Sequence, residues 1–148
     1  MLPVAVIDTS VWVSAFLTPG GSPARLVAKG REGLYSIVGS LPLLQELAEV
    51  LTRPRIARLR QTSAQDVELF VAGVASVTRL VDIPGSLALC RDPEDDVLLE
   101  TAMMGGATCI VSRDEDITRD PELRAELCQL GREPLTVRQF LALLGDSA

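Results

Sequence analysis

The chain of 148 residues is 47% hydrophobic, so we expect one compact domain over residues 1–148, because this length is too short for two ordinary domains. Its formal net charge of −6 argues against a protein that coats nucleic acid non-specifically, since phosphate binding needs a positive face. Histidine is absent, which excludes Ser-His-Asp and Cys-His catalysis and leaves carboxylates, hydroxyls, arginine or a metal ion to carry any reaction.

Short β-branched runs alternate along the chain with segments whose apolar residues recur at helical spacing. These patterns predict four strands, at 4–7, 34–38, 79–83 and 108–111. They also predict six helices, in chain order from about 11, from 23 to about 31, from about 40 to a stop at Pro54, from about 63, around 98–105 and at 136–144. Ser40 can cap the third of these helices, and Thr136 with Gln139 forms a capping box for the last. The alternation predicts a three-layer α/β/α domain around a mostly parallel central sheet.

The apolar start of the chain reaches Asp8 too soon for a signal peptide, and no later apolar run nears the roughly 20 residues of a membrane helix. We therefore expect a cytoplasmic protein that does not associate with membranes. The cysteines Cys90, Cys109 and Cys128 form no Cys-x-x-Cys pair, so we expect three buried, small apolar side chains rather than zinc or redox chemistry.

Two acidic residues, Asp8 and Asp114, each follow a predicted strand. Ligands of such α/β sheets bind beyond the carboxyl ends of the strands, so both residues are candidates for a functional site. Taken singly, either one is as readily explained as an Asx-turn or a helix N-cap.

Two more acids belong to predicted helices. Asp95 is placed on the apolar stripe of its helix, whereas Asp96 is expected to project to the far side. Glu46 borders the apolar stripe of the third helix, whereas Glu49 turns outward and can pair with Arg53 at i+4. Helix-dipole stabilisation by Asp95 and simple solvation of Glu46 are the alternatives for each residue alone.

Four carboxylates in one cleft would repel one another unless a divalent cation held them ionised. Because all the candidate ligands are oxygens, Mg²⁺ or Mn²⁺ is favoured over zinc. Such ions activate water and stabilise the leaving oxygen in phosphodiester hydrolysis, which is the reaction that these parts suit best.

Four short motifs carry these acids: Val-Ile-Asp8-Thr-Ser, Leu-Leu-Gln-Glu46-Leu, Arg-Asp-Pro-Glu-Asp95-Asp and Ile-Val-Ser-Arg-Asp114. In this order, over nearly the whole chain, they resemble the PIN-domain family, specifically the VapC-like toxin components of prokaryotic toxin–antitoxin pairs. The resemblance implies an endoribonuclease dependent on Mg²⁺ or Mn²⁺, with these four acids as catalytic residues and metal ligands. It also implies a cognate antitoxin that covers the cleft. Asp96 and Asp116 are adjacent alternatives as ligands.

The chain departs from the family pattern at Ser10 and Ser112, where Asn and Thr are frequent. Both serines retain a hydroxyl that can orient a carboxylate or a water molecule, and we group them with Thr9 as supporting hydroxyls. Trp12 lies at helical spacing with apolar neighbours and is expected to serve core or dimer packing, and we expect a homodimer.

Four arginines, which concentrate positive charge in one short segment, can guide the RNA substrate or contact the antitoxin, although a solvated helix end explains them equally well. They are Arg53, Arg55, Arg58 and Arg60. The segment Thr18-Pro-Gly-Gly-Ser lacks the Gly-Lys-Ser/Thr of a phosphate-binding loop and is expected to be a mobile connection beside the cleft.

Two other functions compete with the nuclease. One is a catalytically silent interaction module with the PIN fold. The other is a receiver- or phosphatase-like magnesium-binding domain, which is disfavoured because Asp-x-Asp does not follow the first strand and Lys29 is the only lysine.

Overall fold

A computed structural model describes residues 2–85, 87–88, 93–113 and 121–145. The strands are β1 (Val4–Ile7), β2 (Ser36–Gly39), β3 (Thr78–Leu80), β4 (Cys109–Val111) and β5 (Glu133–Leu135). The helices within these residues are α1 (Thr9–Leu17), α2 (Ser22–Arg31), α3 (Leu41–Leu51), α4 (Pro54–Arg60), α5 (Ala64–Ser76), α6 (Pro93–Gly105), α7 (Pro121–Gln129) and α8 (Val137–Leu143).

The five strands form one parallel sheet in the order β3-β2-β1-β4-β5. In register, Ala5 of the central strand lies opposite Ile37 of β2 and Cys109 of β4. The chain moves outward from β1 to β3 and then returns to the other side of β1 as β4. The direction of strand order therefore reverses between β1 and β4, and in such sheets the carboxyl edge at this point is where ligands bind.

Successive strand residues point to opposite faces of the sheet, and apolar residues lie on both faces, so helices cover both. Ala5 and Ile7 pack into a core shared with helices α1 to α5 and α8. Val6 and Ile110 point the other way and pack against α6 and α7. The predicted three-layer α/β/α architecture with a parallel central sheet is confirmed.

Most predicted elements are present, with shifted boundaries. The last helix begins as predicted, because Thr136 and Gln139 exchange capping-box hydrogen bonds of 2.9 and 3.2 Å between side chain and backbone. The arginine-rich segment forms α4, a helix of seven residues. The elements α7 and β5 were not predicted, since β5 is a three-residue edge strand that contains Pro134, and proline weakens a strand pattern.

Three side-chain predictions can be checked against burial. Trp12 is buried in the core, as predicted, and so is Cys109. The prediction for Cys128 was wrong: this side chain is exposed, because the neighbouring Leu127 faces the core and consecutive helix residues point in different directions. Cys90 lies outside the described residues.

No helix found in the described part of the chain combines the length and apolarity that a bilayer crossing demands.

Candidate functional site

Asp8 lies directly beyond β1, at the reversal point of the strand order. Its backbone N–H donates to the carbonyl of Val111 at 2.9 Å, which extends the β1–β4 pairing to this residue. Asp8 occupies the N-cap position of α1, but its side chain makes no capping hydrogen bond. The side chain is therefore not used in the way that the N-cap alternative requires.

Two serine hydroxyls hold the Asp8 carboxylate. The hydroxyls of Ser10 and Ser112 both donate to Oδ2 of Asp8, at 3.0 and 2.7 Å. Ser112 is completely buried at the end of β4, and its N–H donates to the carbonyl of Leu135 at 3.0 Å. The Ser10 oxygen in turn accepts the N–H of Arg113 at 3.2 Å. The carboxylate at the end of β1 is thus held both from the first turn of α1 and from the end of β4.

The third hydroxyl in the predicted group, that of Thr9, belongs to a buried residue at the start of α1. The supporting role of its hydroxyl stays a prediction.

Glu46 and Asp95 are each half-buried, on helices that run back from the carboxyl edge of the sheet. Glu46 lies on α3 between the buried residues Leu43 and Leu47, and α3 packs against both α1 and α6. Asp95 lies near the start of α6. Each helix follows a strand of a parallel sheet, so its first turns lie toward the edge that carries Asp8.

Asp96 is more buried than the position of Asp95 on the apolar stripe suggests, whereas its expected projection to the far side of the helix stays a prediction. Its side chain is buried, with 8% of its surface exposed, whereas the neighbouring Asp95 is only half-buried. The cause is the environment of α6, which is covered on more than one side: all residues from 98 to 102 are buried, including Glu100 and Thr101. A single apolar stripe therefore does not describe this helix. Asp96 is a stronger candidate metal ligand than the stripe suggested.

The remaining predicted acids, Asp114 and Asp116, lie outside the described residues. Within the described ranges, no three Asp, Glu, Cys or His side chains are grouped closely enough to hold a metal ion. A metal site of the predicted composition would therefore need an acid from the undescribed part of the chain, and Asp114, two residues after Ser112, is the one that the sequence predicts.

Two polar contacts join α6 to other segments, and neither was predicted from the sequence. The Glu100 Oε1 atom accepts the N–H of Gly85 at 2.7 Å, which joins the helix to the segment after β3. The hydroxyl oxygens of Ser40 and Thr101 are 2.8 Å apart. Because Thr101 donates to the carbonyl of Val97 at 2.7 Å, Ser40 is the donor between the two.

This contact also corrects the role predicted for Ser40. The residue occupies the N-cap position of α3, but its side chain makes no capping hydrogen bond. Its completely buried hydroxyl instead joins the end of β2 to α6. The two partners are 61 residues apart in the chain, so no local signal indicates the pair.

A cleft of about 490 Å³ opens beside the serines that hold Asp8. Ser112 forms part of its wall, together with the end of α1, the start of α2 and the start of α8. The connection from Thr18 to Ser22 borders this cleft, whereas the predicted mobility of the connection and its place beside the acids stay predictions. The Arg113 guanidinium also lines it and donates to the hydroxyl of Ser14.

The four arginines between residues 53 and 60 are all exposed on or next to α4. Arg53 forms the predicted i+4 ion pair with Glu49, at 3.6 Å between Nη2 and Oε1. The Arg60 guanidinium lies over the Phe16 ring, 4.4 Å from its centre. Two of the four therefore have intramolecular contacts, whereas contacts of Arg55 and Arg58 with RNA or a partner stay predictions.

Comparisons with known proteins agree with this architecture. A family profile described as PIN domain matches residues 4–116, a segment that contains all four predicted acids. An uncharacterized protein of Methanocaldococcus jannaschii is 22% identical to the chain over 138 residues, which cover 92% of this chain and 88% of that relative.

Proposed function

This chain belongs to the PIN domain family, whose members are in general nucleases that use divalent metal ions, and from that premise we propose that it is a metal-dependent endoribonuclease. Asp8, Glu46, Asp95 and Asp114 are the proposed catalytic residues and metal ligands, with Asp96 and Asp116 as neighbouring alternatives. The observation that carries the proposal is the Asp8 carboxylate, held by Ser10 and Ser112 at the point where the strand order reverses.

The chemistry of the donors fits Mg²⁺ or Mn²⁺. All the proposed ligands are carboxylate oxygens, which hard divalent cations prefer, and histidine is absent from the chain. When bound, such a cation would supply Lewis acidity and positive charge at the scissile phosphate. The chain's own contribution is to orient the acids, as the two serine hydroxyls do for Asp8.

The proposed reaction is hydrolysis by an external water molecule. The water oxygen forms a bond to phosphorus, the bond to the 3′-oxygen breaks, and that oxygen takes up a proton. The products then end in a 5′-phosphate and a 3′-hydroxyl. External water is the proposed nucleophile because a cation held by carboxylates would activate a water molecule directly, without needing the 2′-hydroxyl of the RNA.

The test is cleavage of a defined set of RNAs with and without Mn²⁺. We expect the Asp8→Asn variant to be slower by orders of magnitude, because removing one ligand charge weakens cation binding. Glu49→Gln is the matched control: Glu49 is on the same helix as Glu46, is largely exposed and forms only a surface ion pair, so its change should be nearly silent. Activity that persists in excess EDTA, or products with a 2′,3′-cyclic phosphate, would rule out the mechanism.

We also propose that the nuclease is the toxin of a toxin–antitoxin pair and forms a homodimer. Support comes from the acidic character of the candidate site, which a basic side chain of a small inhibitor would complement. The test is to purify the chain with the product of the adjacent gene and to measure mass and RNA cleavage. If that product neither binds nor inhibits, the toxin assignment fails while the nuclease proposal stands.

A catalytically silent module is the conclusion if wild-type protein cleaves no RNA but binds a partner.

A further inference from the structure

The cleft beside Asp8 shares a wall with the candidate active site. Ser112 lies beneath the surface of this cleft with no exposed surface of its own, and its hydroxyl is the one that donates to Asp8 at 2.7 Å. Ser112 therefore lies between the cleft and the Asp8 carboxylate. The volume of about 490 Å³ falls within the range of roughly 300–1,000 Å³ that is usual for small-molecule sites.

The cleft is positively charged although the whole chain has a net charge of −6. Arg113 and Arg138 line it from two sides, and its described wall contains no Asp or Glu. The first turn of α2, a helix of ten residues, adds the positive end of a helix dipole through Ser22. The local charge thus suits an anion.

Part of the wall is apolar. Leu17, Pro23 and Val137 come from three different helices and face the cleft. A wall that combines arginines with an apolar surface suits a ligand with an anionic backbone and a flat, apolar-faced ring. A nucleotide has both, and the guanidinium group binds phosphates and also stacks on bases.

We propose that this cleft binds a nucleotide that flanks the scissile phosphate of a single-stranded RNA. The inference rests on the proposed nuclease function and adds a substrate-binding subsite to it. Arg138 contacts the phosphate backbone, and the base lies against the apolar wall. Arg138 is exposed on α8 and outside the acid cluster, so it acts on substrate affinity rather than on the reacting atoms.

The experiment measures binding of a short, fluorescein-labelled single-stranded RNA of mixed sequence by fluorescence anisotropy. All proteins carry Asp8→Asn to prevent cleavage. We expect Arg138→Ala to weaken binding by roughly five- to tenfold near physiological salt and to reduce the slope of log K against log salt concentration by about one phosphate contact. Arg138→Lys keeps the charge and should restore most of the slope.

The matched control is Arg31→Ala, which removes the same charge from the far end of α2. Arg31 ends the helix that Ser22 begins at the cleft, roughly 14 Å away at 1.5 Å per residue. Its loss should leave RNA affinity nearly unchanged. Melting temperatures of both variants check that folding is intact.

A second measurement locates the RNA. Cross-linking with a 4-thiouridine-substituted RNA, followed by mass spectrometry, should label peptides that contain Leu17 or Val137. Labelling confined to other surfaces would overturn the proposal.

The outcomes separate the subsite from the nuclease. If wild-type protein cleaves RNA but Arg138→Ala binds it as tightly as Arg31→Ala does, the subsite is wrong and the nuclease proposal stands. If wild-type protein cleaves no RNA but Arg138→Ala weakens RNA binding while Arg31→Ala does not, the cleft binds RNA as proposed, and the nuclease proposal, with the scissile phosphate that it implies, is wrong.

Discussion

The Ser112 hydroxyl is a positioning group for the Asp8 carboxylate. It is fully buried and donates at 2.7 Å, so water cannot easily take its place. We expect Ser112→Ala to lower Mn²⁺ affinity and RNA cleavage by about 10- to 100-fold, which is the usual effect of losing a group that orients a metal ligand. Isothermal titration with Mn²⁺ and initial rates measure the two effects.

Ser76→Ala is the control for this change. The Ser76 hydroxyl donates to the carbonyl of Gly73 on the exposed side of α5, far along the chain from the acids. The control should bind Mn²⁺ as wild type does. Equal Mn²⁺ affinity in the Ser112→Ala protein would show that the orientation of Asp8 does not depend on this hydroxyl.

Tyr35 couples stability to alkaline pH. Its side chain is buried against Phe140, and its hydroxyl donates to the carbonyl of Leu26 at 2.8 Å. Burial raises the pKa of Tyr35 above its ordinary value of about 10. The neutral form is thus favoured in the folded state, so this contribution to stability is complete below pH 10 and is lost as the pH rises above it, where the unfolded state ionises.

Replacing this residue should change the alkaline limb of the stability curve. We expect Tyr35→Phe to cost about 0.5–1.5 kcal/mol at neutral pH, because the Leu26 carbonyl loses its donor, and to flatten the fall in stability above pH 10. Urea unfolding at a series of pH values measures both effects.

Tyr35 is the only tyrosine, so tyrosinate absorbance reports on this residue alone. In wild type it should rise together with unfolding. Ionisation near pH 10 in a protein that still has native circular dichroism would contradict the burial argument.

For single residues, the sequence showed which side chains could belong to the site better than it showed how deeply each one is buried. The supporting role of Ser10 and Ser112 could be predicted, because each lies within two residues of a candidate ligand. The burial of Asp96 could not, since it depends on how much of α6 is covered by distant segments. Local periodicity can find the face that packs on the sheet, but it cannot show a second layer on another side.

The end of α6 is held against the sheet by two contacts. Gly105 at its end lies against β2, so that a Cβ at this position would overlap the Val38 side chain. Arg79 on β3 donates to the Gly105 carbonyl at 2.8 Å, which adds a second constraint. Because α6 also carries Asp95 and Asp96, the contact at its end affects the position of both acids.

We expect Gly105→Ala to destabilise the protein by about 1–3 kcal/mol, because the added methyl group forces α6 away from β2. Cleavage activity should fall by more than the loss of folded protein explains, since the acids move with the helix. Urea denaturation and rates at a temperature where the variant is fully folded separate the two effects.

Gly73→Ala is the control within a helix. There the nearest atom to an added Cβ is Nη2 of Arg31, the movable end of a long side chain, at 3.3 Å. This change should be neutral or stabilise α5 by up to about 1 kcal/mol, because alanine favours helix over glycine. If both substitutions had the same effect, the close packing of α6 on β2 would not be the cause.

The sequence predicted the elements that have strong periodicity or capping signals and missed those without them. The capping box predicted at Thr136 is formed at the start of α8, and α5, predicted from about residue 63, begins with a second capping box at Ser63. The edge strand β5 has three residues and a proline, so it is defined by its pairing with β4 rather than by its own pattern. Strand order likewise follows from pairings between distant segments and had no direct signal in the chain.

For the molecule as a whole, the parallel sheet brings residues that are far apart in sequence to one edge. Asp8 and Ser112 are 104 positions apart yet hydrogen-bonded, because β1 and β4 are neighbours in register. Further acids at the same edge would repel Asp8 in the absence of a cation. Stability of the folded chain should therefore depend on the cation concentration.

We expect Mn²⁺ to raise the melting temperature of wild type, because a cation that binds only the folded state stabilises it in proportion to the logarithm of its concentration. At 100 times the dissociation constant the gain is about 2.7 kcal/mol, which corresponds to roughly 5–10 °C for a chain of this size. Asp8→Asn should show little of this shift, and without Mn²⁺ it should melt at or slightly above the wild-type temperature, because one repulsive charge is gone. Glu49→Gln, outside the acid cluster, should respond to Mn²⁺ as wild type does. Differential scanning calorimetry across a Mn²⁺ series makes the comparison, and an undiminished shift in Asp8→Asn would place the cation away from this carboxylate.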